Sequence, residues 1–555
     1  MKTIDRYIIV YCFINFIQAL ITPIIQDEAY YWMFSKHLDL GYFDHPPLVA
    51  YMIKVGTMVM PSPVLGIRFL TVVMMGFTLK TVWNLIPTIK RQIPKAELIF
   101  FGIALSLPLF HVYSFLTTPD VPLLFFTALF LLALKRITDK ESIANMLLFG
   151  SAAALLVYSK YHGGIVILLA VLFRLDLLKR WSTYISGLIA LILVIPHLYW
   201  QIQNDFITFD FHLFQRASGK YSLKYVDDYL LGTLAILNPA FLFLIFKNSK
   251  LLVSLNNHSK FLFRMLIGII TVFLFMSLRS RIEAHWVAVG IIPITVLMFE
   301  LIVEKASLLK PLKIIAIIFV SLIILARIVI LFELPVKTEF YKDKKEFFES
   351  VSELSNGKPV VYINSYQKAS KHYYYTGFEA ISDNNAFYRK SQYDLFEVEK
   401  EFNNRPVLVI SDLPAAHLDS MVFDSGRMVH YKFLDNYVVC AKLKAQVLDD
   451  KLDKLDRKGT VKVAIYNPYN YPIHLDAVDD RFDFGLMLLE GYNKTHIPVS
   501  YSGTKVLPPN TTSTIDIEWT IKDGIKSGDY GMLITIRHGI IAPKAISKTY
   551  KIHLK

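Results

Sequence analysis

The chain has 555 residues, 54% hydrophobic and only 19% charged, with a mean hydropathy of +0.42; soluble domains carry about 25% charged residues, so an all-soluble protein of three or four domains is excluded. Its 59 Lys and Arg against 46 Asp and Glu leave a net charge of +13, which in a membrane protein reports loops facing the cytoplasm and anionic lipid before it reports nucleic acid. Two distant cysteines, Cys12 and Cys440, exclude a disulfide framework and a cysteine-rich metal site, and disorder, collagen and coiled coil are excluded with them.

Apolar stretches long enough to cross a hydrocarbon core of about 30 Å run near 7–25, 62–86, 96–115, 119–135, 143–158, 162–178, 183–200, 229–246, 261–278, 286–303 and 311–333. These predict a polytopic α-helical membrane protein with about eleven spans. The first stretch follows Lys2 and Arg6 as a signal peptide would, but no small-x-small cleavage site follows it, so it is read as an anchor. With the N-terminus cytoplasmic, short loops such as 90–95, 135–140, 174–180, 247–264 and 305–313 hold about twice the Lys and Arg of the opposite set. The expectation is a multi-pass protein of the cytoplasmic (inner) membrane, with everything beyond residue 335 outside the cytoplasm.

The pattern changes from residue 338. Strand-like runs at 359–364 and 406–411 flank helix-compatible stretches at 344–354 and 393–402, predicting a small α/β domain over 338–447. A charged linker, 449–458, leads to an all-β pattern over 458–555, where Val461, Val463 and Ile465, then Ile515, Ile517 and Trp519, alternate with polar residues; a β-sandwich is the simplest reading. Tyr373, Tyr374 and Tyr375 suit a sugar-stacking platform, but a core face is the more frequent use of such a run.

Chemistry concentrates in the outer loops. The loop after the first span carries Asp27-Glu28, the aromatic Tyr30 and Tyr31, then Asp44-His45-Pro46-Pro47, which would position that loop. Capping of an interfacial helix accounts for the two carboxylates taken alone. A second acid, Asp120 in Thr-Pro-Asp-Val-Pro, enters on the same side, and a carboxylate there is costly without a partner. Cations follow at Lys160 and His162, then at Arg279, Arg281 and His285, each explained singly as a snorkelling anchor. Together they predict one outer cavity, with candidate catalytic carboxylates Asp27, Glu28 and Asp120 on one wall and a phosphate-binding set of Lys160, His162, Arg279, Arg281 and His285 on another. Arg68, inside the second span, belongs either to that set or to a loop carboxylate.

The order Asp-Glu, aromatic stretch, Phe-Asp-His-Pro-Pro-Leu, an Arg in the next helix and Thr-Pro-Asp-x-Pro resembles the GT-C superfold of polyprenyl-phosphate-sugar glycosyltransferases, over about residues 1–335. Within it the sequence is similar to bacterial members of glycosyltransferase family 39, the protein O-mannosyltransferases, and to the lipid A aminoarabinose transferase. The resemblance implies a polyprenyl-phosphate-linked sugar such as an undecaprenyl-phosphate sugar as donor, a hydroxyl acceptor (protein, lipid A or glycan), Asp27 as general base and Asp120 as a second essential acid. The region beyond 335 does not match the lumenal domain of eukaryotic members. No metal is demanded: Asp27, Glu28, Asp120, His45 and His162 offer ligands to a divalent cation (Mg or Mn), but no dense His-x₃-His spacing appears. A lipid-linked-sugar flippase and a membrane-anchored glycan-binding protein are the alternative readings.

Overall fold

In a computed structural model, residues 2–215, 221–332, 343–415, 417–423, 426–449, 453–475, 482–491, 493–539 and 542–555 are described. They form two compact units, Met1–Lys342 and Asp343–Lys555.

The first unit is a bundle of apolar helices. Among the described residues seven are long and apolar enough to cross a membrane: Thr3–Ile21, Pro63–Leu85, Asp120–Asp139, Trp181–Gln203, Asn257–Ser277, Ala284–Glu304 and Ala306–Leu331. The other four stretches expected from hydropathy take different forms. Residues 143–158 and 162–178 fall on helices of 17 and 12 residues, Ile143–Ser159 and His162–Phe173. The 96–115 stretch divides into Ala96–Ala104 and the short Leu109–Val112, because Pro108 cannot continue the first helix. The 229–246 stretch is a pair bent by 87°, Leu223–Leu237 and Pro239–Lys247. Its corner is Asn238, at φ +62°, whose side chain accepts from the amides of Ala240 and Phe241.

Burial separates the centre of the bundle from its rim. The Ala284–Glu304 span has 94% of its apolar window inside the protein, whereas the last span has none. That last helix is held by a polar contact: Arg327 Nη2 donates to Asn15 Oδ1 (2.7 Å), His111 O (3.2 Å) and Ser114 Oγ (3.3 Å). Helix Leu48–Val59, not expected from the sequence, crosses the second span so closely that a Cβ on Gly56 would lie 2.1 Å from the carbonyl of Gly66.

The second unit holds two kinds of sheet. A five-stranded mixed sheet has the order β2-β1-β3-β5-β4, with β1 (Val360–Ile363), β2 (Ala380–Asp383), β3 (Arg405–Ser411), β4 (Asp419–Val422) and β5 (Met428–Tyr437). β1 runs parallel to β2 and β3, and helices Lys345–Ser355 and Tyr366–Thr376 accompany it. Tyr373–Tyr375 lie in the second helix, half-buried, with Tyr375 stacked on Phe348 at 5.8 Å. The expected helix at 393–402 is two 3₁₀ turns, Gln392–Asp394 and Val398–Phe402.

The strand-rich remainder has two main sheets. In one, Thr512–Thr520 pairs antiparallel with Lys458–Tyr466, placing Ile517 opposite Val461 and Ile515 opposite Val463 on a buried face. In the other, Phe482–Glu490 pairs with Gly528–His538. Strand Lys444–Val447 pairs with Lys458–Tyr466, so position 447 lies inside this sheet rather than at a domain edge. Of the expected linker, 450–452 lie outside the described residues, while Lys454–Leu455 pairs with Tyr550–Leu554. Buried polar groups join the two parts: Lys544 pairs with Asp383 at 2.5 Å, the Tyr437 hydroxyl donates to the other Asp383 oxygen (2.8 Å), and Ala386 N–H donates to Pro543 O.

Candidate active site

The first outer loop begins with helix Gln26–Lys36, and successive residues on a helix point about 100° apart. Asp27 is therefore exposed while Glu28 is fully buried. Glu28 meets Arg68 in a two-pronged pair, Nε to Oε1 at 2.8 Å and Nη2 to Oε2 at 2.5 Å. Arg68 gives its other N–H groups to the carbonyls of Ala19 (2.7 Å), Thr22 (2.7 Å) and Pro23 (2.9 Å). A guanidinium has five donors, and all five are matched. Glu28 further accepts from the amides of Ile25 (3.2 Å) and Thr117 (2.9 Å). A charge pair this deep is tolerated because every hydrogen-bonding position is filled.

This corrects two assignments. Arg68, expected either at the donor phosphate or on a loop carboxylate, takes the second role: it is 0% exposed with no donor left over. Glu28, placed among the catalytic carboxylates, has no face toward a substrate. The pair ties the end of the first span, the first-loop helix, the second span and the segment before Asp120 into one joint, on which Asp27 is mounted.

Asp120 opens helix Asp120–Asp139, and Lys160 closes helix Ile143–Ser159 with an extended backbone that turns its side chain inward. The Lys160 ammonium lies 2.9 Å from both Asp120 oxygens, and both residues are buried. Lys160, expected at the phosphate, is thus committed to Asp120. His285 Nε2 stands 4.0 Å from Asp120 Oδ2 with its side chain 39% exposed, linking the buried pair to the open side. His162 packs its ring against Trp286 (4.5 Å) and Phe273 (5.4 Å). Arg279 and Arg281 are exposed; Arg281 Nε is 3.8 Å from Glu283. Because Thr117 N–H reaches Glu28, Asp27 and Asp120 belong to the same end of the bundle.

The rest of the first loop is clamped. Tyr30 and Tyr31 are buried; Tyr30 packs on Phe34 (4.6 Å) and the Tyr31 hydroxyl meets His45 Nε2 at 3.2 Å. His45 also lies within electrostatic reach of Asp120. The buried Asp44 accepts at its carbonyl from His212 Nε2 (3.1 Å), and Pro46 and Pro47 are buried where helix Leu48–Val59 starts.

The sequence reading missed what holds this loop from the far side. Trp200 Nε1 donates to Asp39 (2.7 Å), and His197 Nδ1 donates to the Leu40 carbonyl (2.8 Å). Tyr161, Gln201 and Thr208 continue the network. A Cβ on Gly41 would lie 2.5 Å from the Trp200 ring, so only glycine allows this approach. The available signal was a set of polar and aromatic residues, His197, Trp200 and Gln201, on one face of an otherwise apolar span. Among the described residues no three His, Cys, Asp or Glu side chains converge as metal ligands.

A family model described as dolichyl-phosphate-mannose-protein mannosyltransferase matches residues 44–200, which include Arg68, Asp120, Lys160 and Trp200. The crystal structure of ArnT from Cupriavidus metallidurans bound to undecaprenyl phosphate superposes with a TM-score of 0.54 at 12% identity, covering 77% of this chain and 97% of ArnT. The apo form gives 0.51 at 13% identity. The chain has the GT-C fold.

Sequence relatives agree in kind. The lipid A galacturonosyltransferase RgtD of Rhizobium johnstonii is 31% identical over 194 residues, 33% of this chain and 40% of RgtD. The lipopolysaccharide core galacturonosyltransferase RgtA of the same organism is 26% identical over 221 residues, 36% of this chain and 42% of RgtA. The chain thus matches about two fifths of the length of these curated relatives. With its apolar helices, this GT-C chain is a multi-pass membrane protein.

Proposed function

We propose that the protein is an inverting glycosyltransferase that moves a sugar from a polyprenyl-phosphate donor to a hydroxyl acceptor on the outer face of the cytoplasmic membrane, with Asp27 as general base. The observation that carries this reading is the division of labour in Asp27-Glu28: one carboxylate is locked to Arg68 by a filled set of hydrogen bonds, which fixes its exposed neighbour in place. RgtD and RgtA, glycosyltransferases by name, and the undecaprenyl phosphate held by ArnT support the donor class.

In this mechanism Asp27 removes the acceptor hydroxyl proton as its oxygen attacks the anomeric carbon. The bond from that carbon to the phosphate oxygen breaks on the opposite face, and its electron pair leaves with the phosphate. Phosphate is a fair leaving group, so the acid a glycosidase needs is dispensable. Arg279, Arg281, His285 and His162 would meet the phosphate charge. Asp120 would act as a positioning residue that holds Lys160 and faces His285. The relatives named for lipid A and lipopolysaccharide core favour a lipid or glycan acceptor over a protein. A flippase reading calls for matched broken helices in two repeats; among the described residues there is one bent pair.

The test is Asp27→Asn in purified protein supplied with a radiolabelled polyprenyl-phosphate sugar. General-base catalysis is worth about 10²–10⁴-fold, so transfer should fall by that factor while folding and donor binding persist. Transfer at the wild-type rate would falsify the base assignment.

A further inference from the structure

The candidate site lies at the end of the bundle where the first span finishes at Ile21. At the start of the same 19-residue helix, about 28 Å away at 1.5 Å per residue, is a cavity of about 530 Å³. Lys2, Lys80, Trp83, Asn84, Arg91 and Glu97 line it, contributed by the start of the first span, the end of the second, the turn that follows and the helix Ala96–Ala104.

The lining carries three cations against one acid. Lys80 pairs with Asp5 just outside. Arg91 is held by neutral groups, Nη1 on Asn84 Oδ1 (3.2 Å) and Nη2 on Thr88 Oγ1 (2.9 Å), with its guanidinium 5.5 Å from the Trp83 ring centre. Among the described residues no carboxylate forms an ion pair with Arg91, while Lys2 shares the charge of Asp5 with Lys80. A planar guanidinium fixed over an indole, beside ammonium groups, suits a phosphate oxyanion. A tryptophan where membrane helices end lies at headgroup depth. On the same helices Leu98, next to Glu97, and Phe77 and Ile9, one to two turns from the lining residues, are exposed apolar side chains, as lipid tails require.

We propose that this cavity binds the headgroup of an anionic glycerophospholipid, its phosphate between Lys2, Lys80 and Arg91 and its acyl chains along Phe77 and Leu98. It is a second lipid-phosphate site, on the membrane face opposite the one that meets the sugar donor. The exposed apolar side chains beside it argue for a lipid source over free phosphate, which has no use for them.

Full-length protein in nanodiscs of phosphatidylcholine with added phosphatidylglycerol tests this, with native mass spectrometry counting the lipid retained on release. Wild type should hold phosphatidylglycerol over phosphatidylcholine, and Lys2→Gln with Arg91→Gln should weaken that retention by about 10-fold or more. Lys2→Gln alone, at an exposed position, should weaken it several-fold and covers the case in which the double variant does not fold. Lys313→Gln, a basic residue outside the lining, should retain lipid as wild type does. Equal retention by the Lys2 and Arg91 variants, an equal loss in Lys313→Gln, or displacement of the lipid by millimolar inorganic phosphate would each overturn the proposal.

Discussion

Glu28 in the membrane unit and Glu399 in the 343–555 unit are both buried, but they are supplied very differently. Glu28 receives two guanidinium N–H groups and two backbone amides. Glu399 accepts from the Tyr469 hydroxyl at 3.0 Å and has the Lys442 ammonium at 3.5 Å. Burial therefore wins at Glu399 and pushes its carboxyl up to about 7. At Glu28 protein groups fill every position that lipid would leave empty; at Glu399, in a domain that meets water, the shortfall is met by holding a proton.

The largest effect expected from this contrast is at Glu28. Removing one partner of a filled buried pair costs about 3–5 kcal/mol, so Glu28→Ala should lower the melting temperature sharply and abolish transfer. Replacing Glu28 and Arg68 together by apolar residues of similar size should recover much of the stability and none of the transfer. A single variant that melts like wild type would erase the distinction drawn between the two glutamates.

Next comes the pH dependence of Glu399. Its folded value lies above the ordinary 4.5, so the folded state holds a proton the unfolded state releases. The stabilisation is fully present below about 4.5 and is lost as pH rises to about 7, for a total of up to about 3 kcal/mol. Glu399→Gln should flatten this slope in melts between pH 5 and 8, whereas changes at Glu28 should leave it untouched.

The smallest effect is at Asp120 and Lys160, where the half-exposed His285 gives the pair a route to water. A double-mutant cycle with Asp120→Asn and Lys160→Met should give a coupling of about 1–3 kcal/mol, with transfer lost in both single variants. Full activity in Lys160→Met would remove the pair from the site.

Hydropathy made the seven long spans legible because lipid leaves such segments few alternatives. The breaks at Pro108 and Pro239 were also visible as prolines, yet a window average runs over them. Asp27, Glu28 and Asp120 stood out because a carboxylate at a membrane surface needs a reason. Arg68 stood out for the same cause, but its partner sits 40 residues earlier, and no local pattern separates a pairing with Glu28 from one with phosphate. Gly41 against Trp200 is harder still, since only the folded bundle brings them together. In the second unit β1 and β3 read as apolar runs, whereas β5 alternates only from Val429 to Phe433 and loses the pattern at Leu434, Asp435 and Asn436.

The Arg327 contact has a consequence for how this gene can change. Most of this helix faces outward, so at the exposed positions of 309–331 one apolar residue serves about as well as another provided the hydrophobic length is kept. Position 327 alone must deliver N–H groups to Asn15, Ser114 and the His111 carbonyl. Saturation mutagenesis of the outward-facing positions of this segment should read as an even, permissive background with one sharp intolerance, about four fifths of the way along a helix that hydropathy treats as uniform.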